Sequence, residues 1–416
     1  MVPTASKGAT PRLPFALAPA TMIVALVVSI PPAFADDPPR DPDAQFRALR
    51  DAYQAARDAF DRANAEAKTP EAIAKLRDLP AINARNFAGG FMALARTYPG
   101  TPAAEDALLW VASHTFKFAD SEEAKRVIAR DFPRGAKLGP ALGFQGHYSD
   151  FFEGTDGFYR AVLAANPHRE VLGLANYWLA RHLLTKAEGV ERAKKDPGFG
   201  ISRGVDQYAE VYGKDWADRL RRLDPEALRR EADTLFERVA KYYGDIPHND
   251  KNRKPGPLGE VAASYLREHR ELAVGKPAPL FEGTDLDGRP FRLADTRGKV
   301  VLLDFGSHFY CGTCRLAYPR LRAMVARLDP GAFLLVSVNS EPSKVLAELK
   351  EAWTTEGNTW RCLLDGDWEG PIQKAWNIQQ FPTVYLIDAR GIIRGKDLPG
   401  KDLDDAIAAL LAEAGK

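Results

Sequence analysis

The chain has 416 residues, 45% hydrophobic and 27% charged, with a formal net charge of +1; that exceeds the length one hydrophobic core serves and predicts two or three domains. No long basic run interrupts this balance, so nothing in it points to nucleic acid as a partner. Three cysteines are too few for a disulfide-stapled scaffold.

At the N-terminus Lys7 and Arg12 precede the apolar stretch ATMIVALVVSI, residues 20–30. Pro31 and Pro32 end it, and Ala33-Phe34-Ala35 follows in a small-x-small pattern. This order predicts a cleavable signal peptide over residues 1–35. The alternative is an uncleaved membrane anchor, but the run falls short of the roughly 18 to 20 apolar residues that a span needs. No cysteine sits near the cleavage site, which argues against a lipid anchor. The mature chain is therefore expected outside the cytoplasm, in the periplasm or an equivalent compartment where disulfides persist.

Residues 36–272 are rich in Ala, Leu, Arg and Glu with little strand-like alternation, and predict an all-α domain. Pro99, Pro133 and Pro167 recur at intervals of 34 (133 − 99, 167 − 133), and Leu94, Ile128 and Val162, Ala107, Ala141 and Ala175, and Trp110, Phe144 and Trp178 keep the same register. A period of this size predicts stacked helical pairs, each burying its apolar face on the next. Its spacing and outline resemble tetratricopeptide repeats, with Thr101 as an N-cap and Pro102 at a first helical position. The middle copy departs from the pattern at Gly139, Pro140 and Gly143, and a non-repetitive helical domain is the alternative. Trp110, Tyr177, Trp178 and Trp216 read as helix-packing residues, residues 248–257 as a surface loop, and His114, His147, His168 and His182 as histidines without metal-ligand spacing.

Past residue 273 the texture changes to strands and turns. Asp287-Gly288 marks a hairpin. KVVLLDF, residues 299–305, and FLLVSVN, residues 333–339, are continuous apolar runs of the kind buried in a parallel sheet. Leu321, Met324, Val325 and Leu328 recur at helical spacing, Pro342 opens a further helix, residues 383–395 read as strand, turn and strand, and a last helix covers residues 402–414. This succession describes an α/β sandwich around a mixed sheet. Between the first apolar strand and the first of these helices stands FGSHFYCGTCRLAYP, with Cys311 and Cys314 spaced Cys-x-x-Cys. That spacing serves half of a zinc site, a structural staple or a redox dithiol. No second Cys-x-x-Cys and no nearby histidine pair completes a zinc site, so no metal or other cofactor is expected.

Residues 274–416 resemble thioredoxin-fold domains of the TlpA type, within the redoxins and the alkyl hydroperoxide reductase-like proteins. The resemblance rests on the strand, Cys-x-x-Cys and helix in succession, Arg315 after the second cysteine, Pro319 eight residues after Cys311, Phe381-Pro382-Thr383 before a strand, and the opening DLDGRPFRL followed by RGKVVLLDF. The interval from Cys311 to Pro382 implies an extra central segment. The resemblance further implies that Cys311 attacks, that Cys314 resolves a mixed disulfide, and that Pro382 is a cis-proline beside the substrate chain. A helix N-terminus favours the Cys311 thiolate independently.

Asp304 lies where the family often has an acid that assists proton transfer to the second cysteine, but it precedes Cys311 by seven residues and the family usually has six. A bulge absorbs the extra residue, or Asp304 faces elsewhere. Tyr310, where the family commonly has Trp, reads as a packing residue beside the dithiol; His308 reads as a solvent-facing loop histidine, and Arg315 as a nearby positive charge or a surface residue. Ala317 replaces an acid that some TlpA-type reductases carry, and Cys362 reads as a buried inert thiol. A multidomain chain is thus expected: signal peptide, helical domain over 36–272, thioredoxin-like domain over 273–416. It would be an exported oxidoreductase reducing protein disulfides, with electrons from a membrane thiol donor and a protein partner for the helical domain. The alternatives are a helical scaffold with a structural disulfide and a thiol peroxidase, though Asp304 and His308 hold the places of the peroxidase motif.

Overall fold

The computed structural model describes residues 41–69, 73, 76, 83–116, 118–148, 153–195, 213, 215–248, 256–367 and 370–415. The expected signal peptide and residues 249–255 of the expected surface loop lie outside these. Among the described residues no helix is long and apolar enough to cross a membrane. The chain forms two compact units, divided between Gly90 and Phe91.

In the first unit, helix α1 (Pro42–Glu66) starts at Asp41, whose carboxylate accepts from the Asp43 N–H, with Pro42 in the first turn. Tyr53 meets Phe87 edge-on at 5.3 Å. A Cβ on Gly90 would come within 2.9 Å of the Leu49 side chain, so the bare backbone is what lets α1 approach so closely. Phe87 and Gly90 belong to helix α2 (Arg85–Thr97).

The second unit holds α3 (Pro102–His114), α4 (Ala119–Asp131), α5 (Gly139–Tyr148), α6 (Glu153–Ala165) and α7 (Arg169–Lys195). Helices α2, α4 and α6 are each 13 residues long and start at 85, 119 and 153, two intervals of 34 (119 − 85, 153 − 119). The sequence period is thus a period of helices. Helix α3 packs on α5, α5 on α7, and α4 on α6, so like elements stack on like. The irregular middle copy has a packing cause: a Cβ on Gly146 would lie 2.2 Å from the Trp178 ring, and one on Gly143 3.6 Å from its indole nitrogen. Pro140 falls in the first turn of α5, where a missing N–H costs nothing. Trp110, Tyr177, Trp178 and Trp216 are all buried.

Between α4, α6 and α7 lies a buried polar cluster. Lys125 pairs with Glu122 at 2.7 Å and donates to Thr155 at 3.0 Å. Asp156 accepts from His182 and, at 2.7 Å, from Lys186. Burial alone would raise the Asp156 carboxyl, but the His182 hydrogen bond and the Lys186 charge outweigh it and hold it below the usual carboxylate range. Burial pushes the His182 imidazole down. Helices α8 (Trp216–Arg221), α9 (Pro225–Tyr242) and α10 (Leu258–Arg270) follow among the described residues, with the short strands β1 (Pro247–His248) and β2 (Gly256–Pro257) paired antiparallel before α10.

Strands β3 (Glu282–Thr284) and β4 (Pro290–Arg292) form the hairpin, turned by Gly288 at φ +79. A five-stranded sheet follows: β5 (Val300–Gly306), β6 (Phe333–Asn339), β7 (Arg361–Leu364), β8 (Thr383–Ile387) and β9 (Ile393–Lys396), in spatial order β7-β6-β5-β8-β9. Strands β6 and β7 continue parallel to β5, β8 runs antiparallel to β5, and β9, antiparallel to β8, returns to the direction of β5. Because successive side chains point to opposite faces, Val300 and Leu302 meet Tyr318, Leu321 and Leu403 of helices α11 (Gly312–Arg327) and α12 (Gly400–Ala414). Val301, Leu303 and Phe305 meet Phe281 and Trp376 on the other face. Both faces are covered, which is why KVVLLDF reads as one unbroken apolar run.

The helical and sheet parts touch within this unit. Arg267 of α10 donates to the carbonyls of Lys374 and Ala375 at 2.9 and 2.8 Å, Ser264 donates to Asn377 at 2.8 Å, Lys396 pairs with Glu268, and Leu272 belongs to the sheet's core.

Candidate active site

Strand β5 ends at Gly306, four residues cross the sheet end, and Cys311 caps α11. Its Sγ accepts from the Cys314 N–H at 3.1 Å. Cys311 and Cys314 are joined as a disulfide with their α-carbons 5.3 Å apart. Cys311 is half-buried, whereas Cys314 is only 2% exposed. A Cβ on Gly306 would lie 3.1 Å from the Cys314 sulfur, so a side chain there would push on the disulfide itself. The geometry distinguishes the two sulfurs: one meets solvent at a helix N-terminus, where the unpaired N–H groups favour a thiolate, and the other lies beneath it.

The extra residue between Asp304 and Cys311 is absorbed in the loop. Strand β5 stays in regular register with both neighbours, Asp304 lying opposite Ser337 and Val384, and it shares a face with Gly306, the face towards Cys314. The loop folds around a buried acid: Glu341 accepts from the Ser307 hydroxyl at 2.7 Å and the Phe309 N–H at 2.9 Å through one oxygen. Ser307 in turn accepts from the Tyr310 N–H at 3.0 Å. Asp304 is buried and accepts from the Ser337 hydroxyl at 2.9 Å, which itself accepts from the Trp360 indole at 2.8 Å. Burial pushes the Asp304 carboxyl up to about 6, with the Ser337 hydrogen bond opposing.

Two residues differ from expectation. His308 is buried, 2% exposed, stacked on Tyr318 with ring centroids 5.9 Å apart and its Nε2 3.7 Å from Glu356; burial pushes its imidazole down. The loop drawn in by Glu341 carries His308 with it. His308 thereby takes the packing place expected of Tyr310, which is 71% exposed. Arg315 is on the surface and pairs with Glu356 at 3.3 Å. Phe309 and Leu316 are also exposed, so Cys311 stands among outward-facing apolar side chains that spacing alone did not single out. Gly306, Ser337 and Glu341 were equally unsignalled, since each acts across strands.

The Phe381–Pro382 peptide is cis. Thr383 pairs with Phe305 across β8 and β5, so the next step of that register sets Pro382 beside Gly306 and the disulfide. Cys362, on β7 opposite Ser337, is buried, and burial pushes its thiol far above its ordinary value.

Residues 274–396 match the AhpC/TSA family. The thiol-disulfide oxidoreductase ResA of Geobacillus thermodenitrificans is 29% identical over 135 residues, covering 32% of this chain and 74% of that protein. The thioredoxin-like protein YneN of Bacillus subtilis is 27% identical over 132 residues, covering 32% and 75%. Among solved structures, the thioredoxin domain of a Bacteroides vulgatus thiol-disulfide oxidoreductase is 29% identical, covers 34% of this chain and 99% of that one, and superposes with a TM-score of 0.31. The C-terminal segment is thus a thioredoxin-fold domain whose residues 274–396 match the AhpC/TSA family, and the chain is a thiol-disulfide oxidoreductase.

Proposed function

We propose that this oxidoreductase is exported and reduces disulfides of protein substrates through Cys311 and Cys314. The observation that carries the reading is the asymmetry of the pair: Cys311 half-exposed as the cap of α11, Cys314 buried against Gly306. Once the disulfide has been reduced, the Cys311 thiolate attacks a substrate sulfur, forming a mixed disulfide and releasing the other substrate sulfur as a thiolate. Cys314, losing its proton, then attacks Cys311, which restores the intramolecular disulfide and frees the second substrate thiol. The substrate gains two electrons, and a membrane thiol donor returns them to the pair. Asp304, on the same face as Gly306 and titrating near 6, accepts the Cys314 proton. Pro382 borders the substrate chain, and exposed Phe309, Tyr310 and Leu316 receive its apolar side chains.

The order of charge, apolar run and small-x-small site over residues 1–35 supports export. We place the junction of the two halves near residue 273, between the end of α10 at Arg270 and the first strand at Glu282. The helical domain serves as the platform for a protein partner.

Insulin reduction by single-cysteine variants, read with alkylation mass spectrometry, tests the mechanism. Cys311→Ser should fall to the uncatalysed background, and Cys314→Ser should accumulate mixed disulfides with substrate. Cys311 should alkylate first. Full activity without Cys311, or a reduction potential below about −300 mV as in structural bridges, would establish the scaffold reading instead.

A further inference from the structure

The helical part and the sheet part of the second unit enclose a cleft of about 450 Å³. One wall comes from α7 and α10, with Arg181, Thr185, Glu188 and Glu268; the other is the segment from Asn377 to Gln380 together with Thr383, Lys396 and Asp397. Its place follows from the strand register. Strand β8 begins at Thr383, β9 ends at Lys396 opposite Tyr385, and β5, antiparallel to β8, ends at Gly306 beneath Cys314. The cleft therefore opens at the same end of the sheet as the disulfide, and the residues before and after Phe381–Pro382 line it.

The cleft is polar and carries more acid than base. Glu268 is neutralised by Lys396. Arg181 lies over the rings of Trp178 and Tyr265, 5.3 and 5.4 Å from their centroids, so its charge is held against the wall. His269 is turned to Asp233 at 3.3 Å. Glu188 and Asp397 remain, both reaching solvent. Asp397 uses one oxygen to accept from the Val384 N–H at 2.7 Å, and Glu188 makes no ion pair among the described residues, with Arg192, Arg229 and His269 acting on it only at longer range.

We propose that this cleft is the helical region's docking site for the protein being reduced, holding an extended, basic stretch of the substrate as it leaves the Pro382 edge. The proposal rests on the reductase reading above. A chain lying beside Pro382 has its next residues over Gln380 and Thr383, and a lysine or arginine there reaches Glu188 and Asp397 together. The helical half thus selects substrates by charge, while the dithiol supplies chemistry to any accessible disulfide.

The test uses the full chain, two synthetic peptide disulfides that differ only in carrying Lys-Lys or Glu-Glu beside the cysteine, and a small aromatic disulfide too short to reach the cleft. The wild type should prefer the basic peptide, with the difference in KM. Glu188→Lys should lower kcat/KM for it about tenfold, the size of one charge-assisted contact, and favour the acidic peptide. Thr185→Trp, which fills the cleft, should weaken both peptides. Neither variant should alter turnover of the small disulfide, which also shows that each is folded. Equal use of both peptides by the wild type, or peptide kinetics unchanged in both variants, overturns the docking site alone. Failure of the wild type to reduce even the small disulfide overturns the reductase reading and the proposal with it.

Discussion

Asp156, half-buried in the helical part, and Asp304, buried in the sheet part, are treated in opposite ways. Asp156 is met by His182 and Lys186 across two helices and titrates below the usual range. Asp304 has one hydroxyl partner, Ser337, and titrates near 6. The first acid is satisfied and ties α6 to α7; the second is left poised within a pH unit or so of neutrality on the face towards Cys314. A paired charge fixes neighbouring elements in place, whereas an underpaired buried one is destabilised and takes up a proton at a higher pH.

Breaking the structural side should have the larger effect. Asp156→Ala leaves Lys186 buried without its carboxylate, and should destabilise the chain by about 3 to 5 kcal/mol in urea titrations while leaving the dithiol's reduction potential unchanged. The pH dependence follows from the depressed carboxyl: its contribution is fully present above the unfolded value near 4 and is lost as pH falls below that. Wild type should lose this stability on acidification, and the variant should not.

The functional side should respond with the opposite sign. Asp304 is raised in the folded protein, so folding is favoured most below about pH 4, and stability is lost as pH rises from there through about 6. Asp304→Asn removes that loss and should gain about 2 kcal/mol at neutral pH, the stability lost between about pH 4 and 6 less what the new amide leaves unpaired. It should also slow resolution of the mixed disulfide about tenfold to a hundredfold and flatten its rise with pH through 6, read by stopped-flow mixing. A variant that is more stable and equally fast would make Asp304 a structural residue like Asp156.

Smallest should be Cys362→Ser. That thiol is buried and pushed far above its ordinary value, so insulin turnover should be within about twofold of wild type, with about 1 kcal/mol of stability lost from burying a hydroxyl. A larger fall in turnover would move Cys362 into the redox cycle.

Patterns carried along the chain made much of this legible beforehand. The 34-residue period is realised in helices starting at 85, 119 and 153, because a repeating apolar register dictates a repeating contact. FLLVSVN became a strand with the expected bounds, since an apolar run of seven residues can be satisfied between two covered faces. Cys-x-x-Cys before a helix implied a capping cysteine and a buried one, because one turn of helix separates them. Local spacing failed for His308 and Tyr310, whose exposures came out exchanged: the burial of this loop is set by Glu341, 31 or more residues downstream.

The sequence by itself thus determined the stacked helices, the buried strands and the dithiol at a helix start, all of which follow from periodicity, hydrophobic runs and turn chemistry within one short segment. Only the tertiary structure decided how Asp304 titrates, which loop residue turns inward, and that α7 and α10 share a cleft with the residues around Pro382. Each of these depends on what lies across from a residue, on a strand or helix tens to hundreds of positions away. Burial and pairing are properties of that neighbour as much as of the residue itself.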